Sequence, residues 1–230
     1  MTFFSTNRSS GIIFVTFAFI FAQPLVFAQS VDDGISARMA ENGGRLMQYT
    51  HLRKTEVYWK QDLKKAQFAE VNFDVNTGKE ISVPLGSNGA EQSSPIGNGL
   101  IMTAIRKKIA NTVKQNSERL SDLMKEYVPL DTRKINSVQP GGETYPPSSN
   151  LSQMVLRDYA RPGDSMTISM DPHSGLPSQI RIASNLDNEP VAFNINFASL
   201  ADGTSYPSAV DMRWDAKKLE LRITNFDYHR

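Results

Sequence analysis

The sequence predicts an α+β fold in which one curved antiparallel sheet is covered by helices. Four late segments, "SMTISM", "QIRIASNL", "VAFNINF" and "KLELRIT", alternate apolar and polar residues and are separated by short turns. Strands at such short, even spacing form an antiparallel meander, and this alternation is typical of a sheet with one covered face. A long helical stripe stands earlier in the chain. Because large twisted sheets coil, we expect an unclosed half-barrel with helices on its apolar face.

The N-terminus has the pattern of a cleaved secretory signal peptide spanning residues 1–28. Arg8 precedes the apolar core "GIIFVTFAFIFA", and Val26 and Ala28 suit a leader-peptidase site that cuts after Ala28. A membrane anchor is the alternative, but a spanning helix needs about 20 apolar residues, and this run is shorter. We therefore expect a periplasmic or extracellular protein whose mature chain does not span a membrane.

Composition narrows the class of protein. The chain has 230 residues, 40% of them hydrophobic, a formal charge of +1 and no Cys. Its length suits a single α+β domain over residues 29–230 after the leader is removed. Disulfides, thiolate metal sites and Cys nucleophiles are excluded. Without a basic excess, a nucleic-acid partner is not expected.

The first half of the mature chain predicts a helix within 31–49 and then a β-hairpin. The hairpin strands are "THLRKTEVYWK" and "KKAQFAEVNFDV", which are rich in β-branched and aromatic residues. A third strand, "GKEISVPL", follows, and Pro84 favours an edge position for it. A helical insertion is expected at about 98–138 and a Pro/Gly-rich loop at 139–150, before five or six further strands.

The stretch "MDPHSGLPSQIRI" crowds Asp171, His173 and Ser174 into four positions. A catalytic triad needs side chains that converge from different elements, which residues within one turn do not provide. Asp-Pro after one strand and Ser-Gly before the next suit turn positions. We interpret the stretch as a turn with His173 at its tip.

Ser165 in "RPGDSM" is the one candidate nucleophile that the motifs offer. Gly-Asp-Ser marks the nucleophile block of one lipase and esterase family, where the Ser follows a strand and opens a helix. Here Ser165 precedes a strand, and Asp227 and His229 have the wrong spacing to complete the set. A serine hydrolase is therefore the weakest of the alternatives.

No metal or cofactor is predicted. His51, His173 and His229 are far apart in sequence, and none has a second ligand at metal-binding spacing. We expect no catalytic residues, no metal ligands and no cofactor, and hence no enzyme.

Aromatic and aliphatic residues on the strands form the candidate binding surface. They pack as core against the helices, or they line an apolar cavity for a lipid or acyl chain under a loose helical lid. The residues of this hydrophobic face are Trp59, Phe68, Phe73, Ile180, Ile182, Phe193, Ile195, Phe197 and Trp214.

The run "DPHSGLPSQIRI … VAFNINF … LADGTSYPSAV" resembles, in pattern, the late strands of periplasmic lipoprotein carriers of the LolA/LolB type. The stretches "EYVPLD", "LRDYARPGDSM" and "LADGTSY" also resemble those of an uncharacterised group of secreted bacterial proteins. The carrier resemblance implies an unclosed barrel around an apolar cavity, with helices as a lid and no chemistry. The long helix and the loop after it depart from that pattern.

Together these observations predict a non-catalytic binding protein for a hydrophobic ligand: a lipid, an acyl chain or a lipoprotein. The alternative is an envelope structural or protein-interaction module whose sheet face or long helix meets an envelope protein.

Overall fold

The structure is a computed structural model that describes residues 33–74, 77–88, 100–128, 130, 135, 144–145 and 152–230. The predicted leader at 1–28 and almost all of the predicted loop at 139–150 lie outside the described residues.

Two helices and ten strands make up the described fold. The helices are α1 (Asp33–Leu46) and α2 (Leu100–Met124). The strands are β1 (Thr50–Trp59), β2 (Asp62–Phe73), β3 (Glu80–Asn88), β4 (Thr144–Tyr145), β5 (Ser152–Arg157), β6 (Ser165–Met170), β7 (Pro177–Leu186), β8 (Glu189–Ser199), β9 (Ser205–Trp214) and β10 (Leu219–His229).

All ten strands belong to one antiparallel sheet in the order β3-β2-β1-β10-β9-β8-β7-β6-β5-β4. Strands β4 to β10 form a meander in chain order. Strand β10 then pairs with β1, and this pairing joins β1, β2 and β3 to the meander. The predicted unclosed antiparallel sheet with two helices is confirmed. The edge position that Pro84 favoured is confirmed as well, because β3 forms one edge.

Pairing register places the apolar side chains on the face that α2 covers, here called the inner face. Residues directly opposite in antiparallel strands share a face, so the register can be read as rows across the sheet. One inner row runs Met166, Ile182, Phe193, Met212, Leu221 and Val57, and the next runs Ile168, Ile180, Ile195, Val210, Ile223 and Thr55.

Helix α2 packs on these rows through its C-terminal half. Leu120, Leu123 and Met124 are buried in the same cluster as the inner rows. Ser117 and Ser121 are buried on this face too, and the hydroxyl of Ser121 donates to the Ser117 carbonyl at 2.7 Å. This local bond satisfies a hydroxyl that burial would otherwise leave unpaired.

The N-terminal half of α2 packs less. Ile105 is 47% exposed, and Lys107, Lys108 and Ala110 are exposed as well. The helix is therefore fixed to the sheet mainly at its C-terminal end.

The Asn42 side chain hydrogen-bonds helix α1 to β9. The amide of Asn42 donates to the Ser205 carbonyl at 2.8 Å and accepts from the Ser205 N–H at 2.7 Å. Both Asn42 and Ser205 are buried. This reciprocal pair gives α1 a defined register on the sheet.

Candidate functional site

Five of the nine predicted binding residues lie in the core beneath α2. They are fully or almost fully buried in the cluster that includes the helix residues Leu120 and Leu123. In the described structure these side chains contact α2 and each other. The five are Ile180, Ile182, Phe193, Ile195 and Trp214.

The other four predicted binding residues are only partly buried, and the fold does not bring them together. Register places Trp59 opposite Leu219 on the inner face, where the Lys60 ammonium lies 4.4 Å from its ring centre. Phe73 is also on the inner face, beside β3, and Phe197 lies near α1. Phe68 points to the other face of the sheet, here called the outer face, because it pairs with Lys54.

The space between α1 and the sheet is too small for an acyl chain. A crevice of about 20 Å³ is lined by Met39, Leu46, Leu176 and Phe197, among others. A single water needs a cavity of roughly 10–15 Å³, so this crevice holds about one water.

The Gly-Asp-Ser motif builds a turn. The buried Asp164 carboxylate accepts the backbone N–H groups of Tyr159, Ala160 and Arg161 at 2.7, 3.0 and 2.7 Å. It also accepts the Tyr127 hydroxyl at 2.7 Å, and burial raises the pKa of that phenol. Asp164 therefore fastens the β5–β6 turn to the end of α2.

Ser165 is not placed near a histidine that could activate it. It lies at the start of β6, on the outer face opposite Ala183, whereas His229 ends β10, four strands away. Strands are about 4.8 Å apart, so the separation is roughly 19 Å. His173 lies beyond the far end of β6.

The "DPHSG" stretch forms the turn between β6 and β7, as predicted. The Asp171 N–H donates to the Leu176 carbonyl at 2.9 Å, and the Asp171 carboxylate accepts the His173 N–H at 2.8 Å. That hydrogen bond lowers the pKa of the Asp171 carboxyl. The His173 side chain is 92% exposed. Within the described ranges, no group of three or more His, Asp or Glu side chains is arranged to hold a metal ion.

The polarity of the sheet changes at β1–β3, here called the wing. The two apolar inner rows continue onto β2 as Lys65 and Gln67. On the outer face of the wing, register instead places Phe68 on β2 and Ile81 and Val83 on β3. The outer face of β2 and β3 therefore carries apolar residues among its polar ones.

Most of the wing's outer apolar residues are open to solvent. Ile81 is 46%, Val83 49% and Leu85 56% exposed, and all three belong to the edge strand β3. Phe68 on β2 is half-buried beside them, opposite Gly86. Neighbouring exposed apolar residues mark interaction sites, so this surface is a candidate site. We call Phe68, Ile81, Val83 and Leu85 the wing patch.

A buried polar network holds the inner face of the wing. The Arg53 guanidinium contacts both carboxylate oxygens of Glu80, at 2.5 and 3.0 Å, and donates to the Asn225 side chain at 2.9 Å. Asn225 in turn donates to the Pro207 carbonyl at 2.8 Å. All but Pro207 are buried polar side chains. The bidentate pair thus ties the edge strand β3 to β1 and β10.

His51 is buried next to this network. Its ring stacks on Tyr228 with centroids 4.4 Å apart, and neither ring nitrogen has a hydrogen-bond partner in the described part of the chain. Burial, with the charge of Arg53 as a second cause, lowers the pKa of His51 to about 3. Burial also raises the pKa of Tyr228. Both rings are therefore neutral at physiological pH.

The outer face also bears two open grooves that are lined largely by polar residues. One groove, of about 680 Å³, lies between the β1–β2 turn and the β9–β10 turn. Tyr58, Arg213 and Arg222 line it, and the Arg222 guanidinium lies 4.7 Å from the Tyr58 ring centre. A second depression, of about 550 Å³, lies over β6–β9.

Comparisons with known proteins give one distant structural likeness. The crystal structure of a DUF1329 family protein from Desulfovibrio piger aligns over 86% of this chain and 93% of its own, with 7% sequence identity and a TM-score of 0.36. No protein-family model matches the chain, and no curated protein matches it. Within the described residues, neither helix is long and apolar enough to cross a membrane.

Proposed function

We propose that the protein is a non-catalytic binding protein for a hydrophobic ligand: a lipid, an acyl chain or the acylated end of a lipoprotein. The observation that carries the proposal is the wing patch. Three of its residues, Ile81, Val83 and Leu85, expose about half of their surface on the edge strand β3. A soluble protein rarely exposes a contiguous apolar surface of this kind without a binding role.

The proposal places the ligand on the wing patch and not beneath α2. In the described structure the inner rows are occupied by the C-terminal half of α2, whose apolar residues are buried against them. The crevice beside α1 has room for about one water. In this respect the proposed site differs from the enclosed cavity of LolA/LolB-type carriers, although a carrier-like half-barrel remains part of the proposal.

A periplasmic or extracellular location is also proposed, and it rests on the leader predicted for residues 1–28. Intact-mass measurement of the protein secreted by its own host tests it. A mature chain that begins at Gln29 supports the location, whereas a chain that retains the leader in the cytosol contradicts it.

The experiment for the binding function is a titration of the delipidated mature protein with a fluorescent fatty acid. We expect saturable uptake at one site. Val83→Asp, in the middle of the patch, should abolish uptake, because a carboxylate there would have to be desolvated beneath an acyl chain. Ile105→Asp is the matched control, since Ile105 on α2 is equally exposed but lies outside the patch.

The outcomes separate the function from its site. Without saturable uptake, the hydrophobic-ligand function is wrong. If Ile105→Asp loses uptake while Val83→Asp keeps it, the ligand binds at α2 and the wing patch is not the site.

A protein-interaction module is the second candidate, and the free edge of β3 favours it. An edge strand presents unpaired backbone groups to which a partner strand can bind. Pro84 interrupts that edge, since it lacks an N–H, which limits but does not prevent pairing. A pull-down from envelope extract that returns one stoichiometric protein, lost with Val83→Asp, together with no fatty-acid uptake would favour this candidate.

A further inference from the structure

The outer face carries a second surface that the hydrophobic-ligand proposal does not use. A cross-strand row runs from Arg157 through Ser165, Ala183 and Ala192 to Arg213. Because both alanines end at Cβ, the long side chains at the two ends of the row stand around a depression. This is the depression of about 550 Å³ over β6–β9.

Three arginines surround this depression. Arg157 and Arg213 stand at the ends of the alanine row, and Arg181 lies two residues from Ala183 on the same strand and the same face. Arg181 and Arg213 line the depression directly. We call Arg157, Arg181 and Arg213 the arginine triangle.

The arginine triangle is short of carboxylates. The side chains of Arg157 and Arg181 form no ion pair or hydrogen bond within the described residues, and both are exposed. Arg213 lies 3.5 Å from Glu220. Asp211, the carboxylate that lines the depression, lies 4.0 Å from Arg222, which lies outside it. Within the described residues, the Arg181 guanidinium therefore lines the depression without an ion-pair partner.

Neutral polar groups complete the depression. Ser165, Thr167 and Gln179 line it, and the Gln179 amide is oriented by its hydrogen bond to Asn196 at 2.9 Å. Asn194 also lies at its wall, with its side-chain oxygen buried away from solvent.

We infer that Arg181, together with Arg213 on the other side of the depression, binds the phosphate group of a ligand. A guanidinium binds phosphate through paired N–H donors, and Arg181 and Arg213 both line the depression. The hydroxyls of Ser165 and Thr167 donate to the remaining phosphate oxygens. This inference goes beyond the hydrophobic-ligand function and does not depend on it.

Calorimetric titration of the mature protein with glycerol 3-phosphate tests the inference, with glycerol as the control ligand. We expect glycerol 3-phosphate to bind and glycerol not to bind. Arg181→Gln should weaken binding at least tenfold, because it removes an unpaired guanidinium that faces the ligand. The matched control is Arg119→Gln, since Arg119 lies on α2 and is paired with Asp187 at 2.5 Å.

Vesicles distinguish a free phosphate ester from a lipid headgroup. Flotation with phosphatidic acid vesicles, set against phosphatidylcholine vesicles, measures binding to a phosphate on a membrane surface. Binding of either phosphate source that is lost in Arg181→Gln supports the site and names the source. No binding of either source, or binding that Arg181→Gln leaves unchanged, overturns it. Val83→Asp should leave phosphate binding intact, so a failure of the wing-patch proposal can be distinguished from a failure of the phosphate site.

Discussion

The strands covered by α2 and the strands of the wing belong to one sheet but differ in what they place on its two faces. Under α2, the inner face is an apolar core and the outer face is polar. In the wing, Arg53 and Glu80 form an ion pair on the inner face, while Ile81 and Val83 lie exposed on the outer face. The same alternation of residue types therefore serves a core in one region and leaves an open apolar surface in the other.

The difference follows from what lies against each face. A strand whose inner residues meet α2 is stabilised by burial of apolar area, at roughly 25 cal/mol per Å². Inner residues of the wing are instead held by a charged and hydrogen-bonded network with fixed geometry. Such a network sets the position of β3 more than it stabilises the fold, because desolvation offsets most of the attraction between buried charges.

The largest expected difference in the free energy of unfolding is between two phenylalanine substitutions, one in each region. Phe193→Ala should lower the free energy of unfolding by about 4 kcal/mol, because the ring is buried against Tyr127 beneath α2 and its removal leaves a cavity. Phe68→Ala in the wing should cost about 1 kcal/mol, since that ring is only partly buried. Urea denaturation of both variants gives the two values. Equal losses would show that the wing is packed like the core.

A smaller effect is expected from breaking the buried ion pair. Arg53→Met should cost about 3 kcal/mol, because it leaves the Glu80 carboxylate buried without its charge partner. The measurement is again urea denaturation, at neutral pH.

The double variant Arg53→Met with Glu80→Met is the control for that prediction. It should recover most of the loss, since replacement of both buried charges by apolar groups is often nearly neutral. If the double variant is as unstable as Arg53→Met alone, the network stabilises the wing through packing and not through charge compensation.

The covered half of the sheet was the part that the sequence predicted well. Strands β6, β7, β8 and β10 alternate without interruption, and their turns contain residues that favour tight bends. Strand β9 was indicated only through Trp214, which was expected on a strand. Pro207 and a register shift between Asn196 and Phe197 interrupt its alternation, so the period-two signal is weak there.

The candidate sites were harder to predict because they depend on register. Period-two alternation shows that Val83 and Ile81 share a face, but not whether that face is the inner or the outer one. The pairings of Arg53 with Ala69 and of Glu70 with Val83 decide it. In the same way, no local sequence pattern links Arg157, Arg181 and Arg213. They lie on β5, β7 and β9, and only the pairing of the strands places them on one face.

A pH effect should follow from His51 in the wing. Its pKa is about 3 in the folded protein and about 6.5 when unfolded, so the unfolded chain binds the extra proton as the pH falls below 6.5. The stability that His51 contributes is present above pH 6.5 and is lost between pH 6.5 and about 3. At pH 4.5 the loss is roughly 3 kcal/mol.

Denaturation at pH 7 and pH 4.5 measures that effect, and His51→Phe isolates it from the effect of the carboxylates. The variant keeps an aromatic ring to stack on Tyr228 but has no group that titrates. We expect the wild-type protein to lose roughly 2–3 kcal/mol more than His51→Phe over this pH interval. Parallel losses would show that His51 becomes solvated and protonates without unfolding the wing.

The smallest effect on stability should come from the wing patch itself. Val83→Lys is expected to change the free energy of unfolding by no more than about 0.5 kcal/mol, because Val83 is exposed in the isolated chain and few contacts are lost. The informative measurement is the melting temperature of the variant and of the wild-type protein at several protein concentrations. If Val83→Lys lowers the melting temperature only at high protein concentration, copies of the chain cover the patch in solution, since self-association stabilises by mass action. If the change is small at every concentration, the patch is open in the monomer, as a surface that awaits a hydrophobic ligand must be.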